Sequence, residues 1–317
     1  MLRWTLIFVA AVLALPAAGQ NPSESTQTKR IAITFDDAPR SAGALYTSDE
    51  RALRLIAAMA EAGVKQAAFF INPRSLGRRP EGERHITAYV AAGHVIANHT
   101  HSHPRLRDTE TAEYIASIDA AGRWLDRREG YRPWFRFPYL DEGADDKPKR
   151  DAIRAALAQR GLRNGYVTVD ASDWFYDGAL TRAMRDGAEV DLDALAELFI
   201  ESHVEAARVY DNLARASLGR SPAHVLLLHE TDLVALTLTD LIAALRADGW
   251  TIITADEAYA DPIGGAMPDV PFSQGTLVEM IAWEHGVPAP RWYERNNTNV
   301  AGALFRERVL GLPAEEN

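Results

Sequence analysis

The sequence predicts an α/β fold, a barrel of parallel strands made from about seven strand–helix units, slightly short of the usual eight. An open doubly wound sheet is the alternative. Three observations carry the prediction. Short apolar runs alternate with amphipathic segments from about residue 30 to residue 260. Most of those runs are continuous rather than alternating, as in strands buried on both faces. Five of them close on a polar signature: Thr34-Phe35-Asp36-Asp37, His99-Thr100-His101-Ser102-His103, Arg136-Phe137-Pro138-Tyr139, Asp170-Ala171-Ser172-Asp173-Trp174 and Leu227-Leu228-His229. Loops at the carboxyl ends of parallel strands are where α/β barrels assemble their chemistry.

Residues 30–35 form the first expected strand. Ser48 is the expected cap of a helix through about 62, closed by Gly63. A strand over 66–71 precedes a helix over 81–92, which Gly93 ends. Residues 94–97 are the third strand, and Thr109 is expected to cap a long helix through about 129, stopped by Gly130. The fourth strand spans 134–137; Lys147-Pro148 opens a helix to about 160, proline being tolerated in a first turn. Residues 166–169 read as the fifth strand, 192–217 as a long helix entered through an insertion-like segment from 177, and 223–228 as the sixth strand. A helix over 233–247 leads to the seventh, 250–253. After 261 the alternation stops, and the proline-containing tail 262–317, with Trp283, Trp292 and Tyr293, is too aromatic for disorder and is expected to pack on the barrel.

A chain of 317 residues, 47% of them hydrophobic, can bury a substantial core, in one large domain or two small ones. The net charge of -10 argues against nucleic acid, whose phosphates would be repelled. With no cysteine there is no disulfide framework, thiolate metal site or sulfur nucleophile. Arg3, the apolar run 4–15, Pro16 and Ala17-Ala18-Gly19 match a secretory signal cut after Gly19, the run being too short to span a bilayer; an uncleaved anchor is the alternative. The expectation is an exported, periplasmic or secreted monomer with no membrane span after cleavage, residues 20–29 forming a flexible leader.

His99 and His103 are spaced as on one face of a helix, but Pro104 pushes the residue before it away from helical geometry, so the pair belongs to a strand end and loop. A carboxylate from Asp36 or Asp37 completes two imidazoles and leaves a position open for water, the layout of a catalytic zinc site. Two adjacent aspartates ending a buried strand are costly unless a cation or strong donors compensate them. His101 reads as solvated or one layer behind the ligands. His85, His94, His203, His224 and His285 have no ligand-like context.

In this order the five signatures resemble those of the polysaccharide deacetylases, the NodB-homology domain of carbohydrate esterase family 4, over about 31–260. The resemblance implies a distorted (β/α)7 barrel of the NodB type at 30–261, with a helical insertion at 177–220 and the C-terminal extension 262–317. It implies Asp36 as catalytic base and Asp37, His99 and His103 as ligands of a divalent metal, zinc first, with cobalt or nickel as alternatives. It implies that Arg136 orients the base and keeps it ionised, that the backbone N–H of Tyr139 helps hold the oxyanion, and that His229 is the general acid. Asp170, Asp173 and Trp174 match the DxxDW motif: one aspartate tunes Arg136 or His229, and Trp174 walls the groove. Two departures, Ala38 and Leu140 where glycine is common, bear on groove shape rather than on the reaction. The implied activity is deacetylation of an N-acetylated amino-sugar polymer or oligomer; the alternatives are an O-acetyl xylan esterase, an amidohydrolase of small acylated amines and a non-catalytic carbohydrate-binding protein. The tail and insertion could close one end of the groove.

Overall fold

A computed structural model describes residues 28–77 and 79–313; the expected signal segment and most of the leader lie outside the described residues. The chain runs through β1 (Lys29–Ala38), α1 (Ser48–Glu61), β2 (Ala68–Ile71), α2 (Glu81–Ala91), β3 (Val95–Asn98), α3 (Thr111–Leu125) and β4 (Tyr131–Phe135). It continues through β5 (Asp141–Ala144), α4 (Lys147–Gln159), β6 (Arg163–Asn164), α5 (Asp173–Arg185), α6 (Leu192–Leu218), β7 (Ala223–His229), α7 (Asp232–Ala247) and β8 (Trp250–Ile252). The last elements are α8 (Ala255–Tyr259), β9 (Ser273–Gln274), α9 (Leu277–Glu284) and α10 (Thr298–Arg308).

Seven parallel strands form one curled sheet in the order β6-β4-β3-β2-β1-β7, with β8 paired to the first residues of β1. This is the expected α/β barrel-type architecture. β1 pairs with β2, β7 and β8, and Ile31, Ala32, Ile33 and Phe35 are fully buried, which explains its unbroken apolar run. The register levels the strand ends: Asp36 pairs with His229 across β1 and β7, Ile71 with Asn98 across β2 and β3, and Asn98 with Phe135 across β3 and β4. The residues that follow therefore leave the sheet at one height.

Three local expectations are corrected. Residues 166–169 do not form a strand: β6 is a two-residue strand before them, and only Val169 bridges, to Leu226. Their backbone groups are used elsewhere, since Thr168 and Val169 both donate to the Val225 carbonyl and Val167 accepts from Leu277. Helix α1 is capped by Thr47 rather than Ser48, because Thr47 and Glu50 form a reciprocal capping box. Helix α3 begins at Thr111 without a side-chain cap, since the Thr109 hydroxyl donates to the Arg105 carbonyl, and it ends at Leu125, short of the expected 129.

The segment after Asp261 adds β9, which pairs antiparallel with β5, and the helices α9 and α10, which pack on α6 and on α5 and α6. Val278, Ile281, Phe305 and Val309 belong to the same apolar cluster as Ile33 and Val225.

Candidate active site

All five signatures open onto one cleft of about 980 Å³ at the carboxyl ends of the strands. Asp36 and Asp37 are neighbours on β1, and in a regular strand their side chains would point to opposite faces. The β1–β2 register shifts between Phe35 and Ala38, and Asp37 takes φ 64°. That irregularity turns both carboxylates toward the cleft.

Asp37 meets the two imidazoles. Its Oδ1 lies 3.1 Å from His103 Nε2 and 3.6 Å from His99 Nε2, and the three donor atoms all fall within 4.8 Å of one another. His99 Nδ1 is 2.9 Å from the Arg136 carbonyl, so Nδ1 carries the proton and Nε2 presents its lone pair. The histidines sit on a loop, as the proline argued, although His103 adopts φ 57°, left-handed rather than extended. Asn72 donates to the His99 and Thr100 carbonyls, Asn98 accepts from the Thr100 amide, and the Thr100 hydroxyl accepts from the His103 amide.

Burial pushes both imidazoles down to about 4, so each is neutral near pH 7. Burial alone would raise Asp37, but the neighbouring imidazoles and Arg40 hold it down to about 2. Asp37 Oδ1 is buried and finds no hydrogen-bond donor. A buried carboxylate oxygen beside two neutral imidazoles is satisfied by a cation, and the donor set of two nitrogens and one oxygen suits zinc, cobalt or nickel. The residues present fit the group.

Asp36 has a different partner. Its Oδ1 accepts from Arg136 Nη1 at 2.6 Å, while Oδ2 lies 3.6 Å from His99 Nε2. Arg136 is buried and fixed on every side: it donates to the Thr34 hydroxyl, the Gly165 carbonyl and the Tyr259 hydroxyl, and stacks 3.8 Å above the Phe70 ring. Burial raises the Asp36 pKa; Arg136 acts to lower it, as expected, but burial is the larger effect and the net shift is upward.

His229 is held by Asp173, which resolves which aspartate of the DxxDW signature serves it. Asp173 accepts from His229 Nδ1 through one oxygen and from the His229 amide through the other, both at 2.7 Å. Burial would lower His229, but Asp173, then Asp37 and Asp36, raise it to about 9. Burial would raise Asp173, but His229 brings it below the ordinary range. Asp170 lines the cleft, accepts from the Ser172 amide at 2.9 Å and is raised by burial to about 6.

Tyr139 sits at φ 59°, its ring 4.5 Å from that of His103. Trp174 is half exposed on the cleft wall. His101 is outside the ligand cluster, and so are the five other histidines. Among these, His94 accepts from the Ala67 amide, His203 bonds the Phe199 carbonyl and His224 joins Thr168 to Asp211.

Sequence reasoning gave no role to Thr34 or Tyr259, which hold Arg136, and expected the C-terminal segment at one end of the groove without saying which of its residues reach the cleft. Phe272, Trp283 and Trp292 line the cleft with Tyr139 and Trp174, and these five are the exposed large aromatic residues of the described chain. Their clustering was hidden because α9 and the loop after it reach the cleft only by packing on α6.

Residues 23–164 match the polysaccharide deacetylase family. The chain is 23% identical to a chitin deacetylase of Colletotrichum lindemuthianum over 282 residues, 82% of this chain and 97% of that one. It is 36% identical to a peptidoglycan-N-acetylglucosamine deacetylase of Bacillus cereus over 145 residues, 45% of this chain and 46% of that protein, so it spans under half the length of this relative. A solved polysaccharide deacetylase from Bacillus cereus superposes with a TM-score of 0.52 at 18% identity, covering 71% of this chain and 91% of that one. A family 4 pseudoenzyme from Bacillus anthracis gives 0.51 at 18%, covering 73% and 65%. At that identity the two structures speak for the fold alone, and a pseudoenzyme among them leaves chemistry to be argued from the residues. On family match, fold and motifs together, the chain carries a polysaccharide deacetylase domain of the NodB-homology type, the family model matching residues 23–164.

Proposed function

We propose that the protein is an exported, metal-dependent deacetylase acting on N-acetyl groups of an amino-sugar polymer or oligomer. The observation that carries this reading is the placing of an arginine-anchored aspartate and an aspartate-anchored histidine in one cleft beside the Asp37–His99–His103 cluster. The names of the relatives, chitin, chitooligosaccharide and peptidoglycan-N-acetylglucosamine deacetylases, favour an amino-sugar substrate. The cleft aromatics suit the apolar face of a pyranose.

Asp37, His99 and His103 hold the cation, which when bound polarises the acetamide carbonyl and acidifies water. Asp36 takes the proton of the attacking water. Arg136 fixes its direction through the 2.6 Å bond to Oδ1. The Tyr139 N–H contributes a hydrogen bond to the developing oxyanion. His229 keeps its Nδ1 proton on Asp173 and delivers the Nε2 proton to the departing amine, a poor leaving group until protonated. Asp170 and Trp174 line the sugar-binding wall. Export follows from the signal-like pattern at residues 1–19.

Acetate release from chitooligosaccharides by chelated and metal-restored protein is the direct test. Release that requires added zinc, cobalt or nickel supports the reading. Turnover of acetylxylan with none from amino sugars would move it to the esterase class.

A further inference from the structure

Three arginines at the cleft lack any carboxylate partner among the described residues: Arg74, Arg105 and Arg291. Arg105 stacks 4.4 Å above Tyr139, and Arg291 stacks 4.9 Å above Trp283 while donating to the Val287 carbonyl at 2.8 Å. Stacking and the backbone bond hold these two guanidiniums at the cleft wall without using their charge. Arg74 is exposed in an adjoining cleft of about 530 Å³ that shares Asp37, Arg40 and His103 with the main one, so the two form one groove through the catalytic centre.

The acids lining the same groove turn to other partners than these three arginines, Asp37 to Arg40 through Oδ2. Asp36 accepts from Arg136, Asp170 from the Ser172 amide, and Glu279 from the Tyr210 hydroxyl and the Thr276 amide. Glu230 accepts from the Tyr89 hydroxyl and the Arg40 amide, and Asp177 from the Leu233 amide. Neutral donors leave most of these carboxylates charged, so what the groove offers an anionic ligand is local: the guanidiniums of Arg74, Arg105 and Arg291, none of which has a carboxylate within pairing distance among the described residues.

We infer that the groove takes an acidic glycan, one in which sugars flanking the acetylated residue carry carboxylates, with Arg74 on one side and Arg105 and Arg291 on the other as the residues that select it. Guanidinium–carboxylate pairs are charge-assisted and often bidentate. This rests on the deacetylase reading for which sugar reacts, though not for what binds.

The test uses the full chain and two N-acetylated oligosaccharides that differ only in their flanking carboxyls, one with carboxylates and one with the same groups reduced to alcohols. Binding is read by calorimetry and by cleft tryptophan fluorescence. The carboxylate form is expected to bind about tenfold or more tighter at low salt, with the gap narrowing as salt rises. The gap is expected to close in an Arg74→Ala/Arg291→Ala double variant and to persist in part in Arg74→Lys/Arg291→Lys, each variant checked for native circular dichroism. Equal affinity for the two sugars, no binding of either, or an unchanged gap in the alanine variant overturns the inference. Acetate release from the reduced oligosaccharide, followed in parallel, reports on the deacetylase reading separately: turnover without carboxylate preference sinks only the inference, and preference without turnover sinks only that reading.

Discussion

Asp36 and Asp37 are adjacent, yet one faces an arginine and the other two imidazoles, and the proposed division of labour follows from those partners. An aspartate tied to Arg136 can change protonation without disturbing the donor set of its neighbour. Asp36→Asn and His229→Ala are therefore expected to keep near-native metal content while kcat falls about a hundredfold or more; metal analysis beside acetate release checks this, and loss of metal in Asp36→Asn would contradict the assignment. Asp37→Ala is expected to lose both. The imidazoles pushed down to about 4 are neutral through the neutral range, so protons do not compete with a cation there. Metal retention after dialysis should be flat from pH 8 to 6 and fall steeply as pH approaches 4; loss beginning near 6.5 would show ordinary histidines. The residue types and their spacing were legible in the sequence. Which aspartate meets the imidazoles was left open by spacing alone, since it depends on the register shift that turns Asp37.

At the scale of elements, the catalytic loops carry unusual backbone. Asp37, Thr100, His103, Tyr139, Leu140 and Ser172 all adopt positive φ without being glycine, a conformation costing on the order of 1 kcal/mol each. The hydrogen bonds of Asn72, Asn98 and Thr100 hold the histidine loop against that cost. Leu140, where the resemblance led one to expect glycine, keeps the left-handed turn all the same. Gly165 shows why the expected fifth strand fails. Its carbonyl binds Arg136 at 2.7 Å, and a Cβ there would sit 2.6 Å from the Phe70 ring that supports the same guanidinium. Gly165→Ala should destabilise the fold by about 1–3 kcal/mol in urea unfolding and reduce activity more than stability alone explains. A fully active, equally stable variant would show the close approach to be unimportant. Helix positions were legible from periodicity and stop signals. The strand over 166–169 was misread because its apolar run is buried against β7 and α9 without joining a ladder.

At the scale of the molecule, the C-terminal segment shares one apolar core with the barrel and places aromatic residues in the cleft. A chain ending at residue 261 would expose the faces of α5 and α6 that α9 and α10 cover, and is expected to lose cooperative thermal unfolding; unchanged unfolding would make the segment an appendage. Glu279 offers a pH test of its docking. Burial raises its pKa from 4.5 to about 7, above the unfolded value, so its contribution is fully present below about 4.5 and is lost as pH rises through 7. The urea midpoint should fall between pH 5 and 8, and Glu279→Gln should flatten that slope. The sequence by itself determined the alternating α/β order, the catalytic residue types and the family, because periodicity and motif spacing are local and four of the five signatures lie at the end of a strand. Only the tertiary structure showed how Asp37 is turned toward the imidazoles, that Asp173 rather than Asp170 holds His229, and which residues of the C-terminal segment reach the cleft. Those depend on strand register and on contacts across more than fifty residues of chain, which no local pattern encodes.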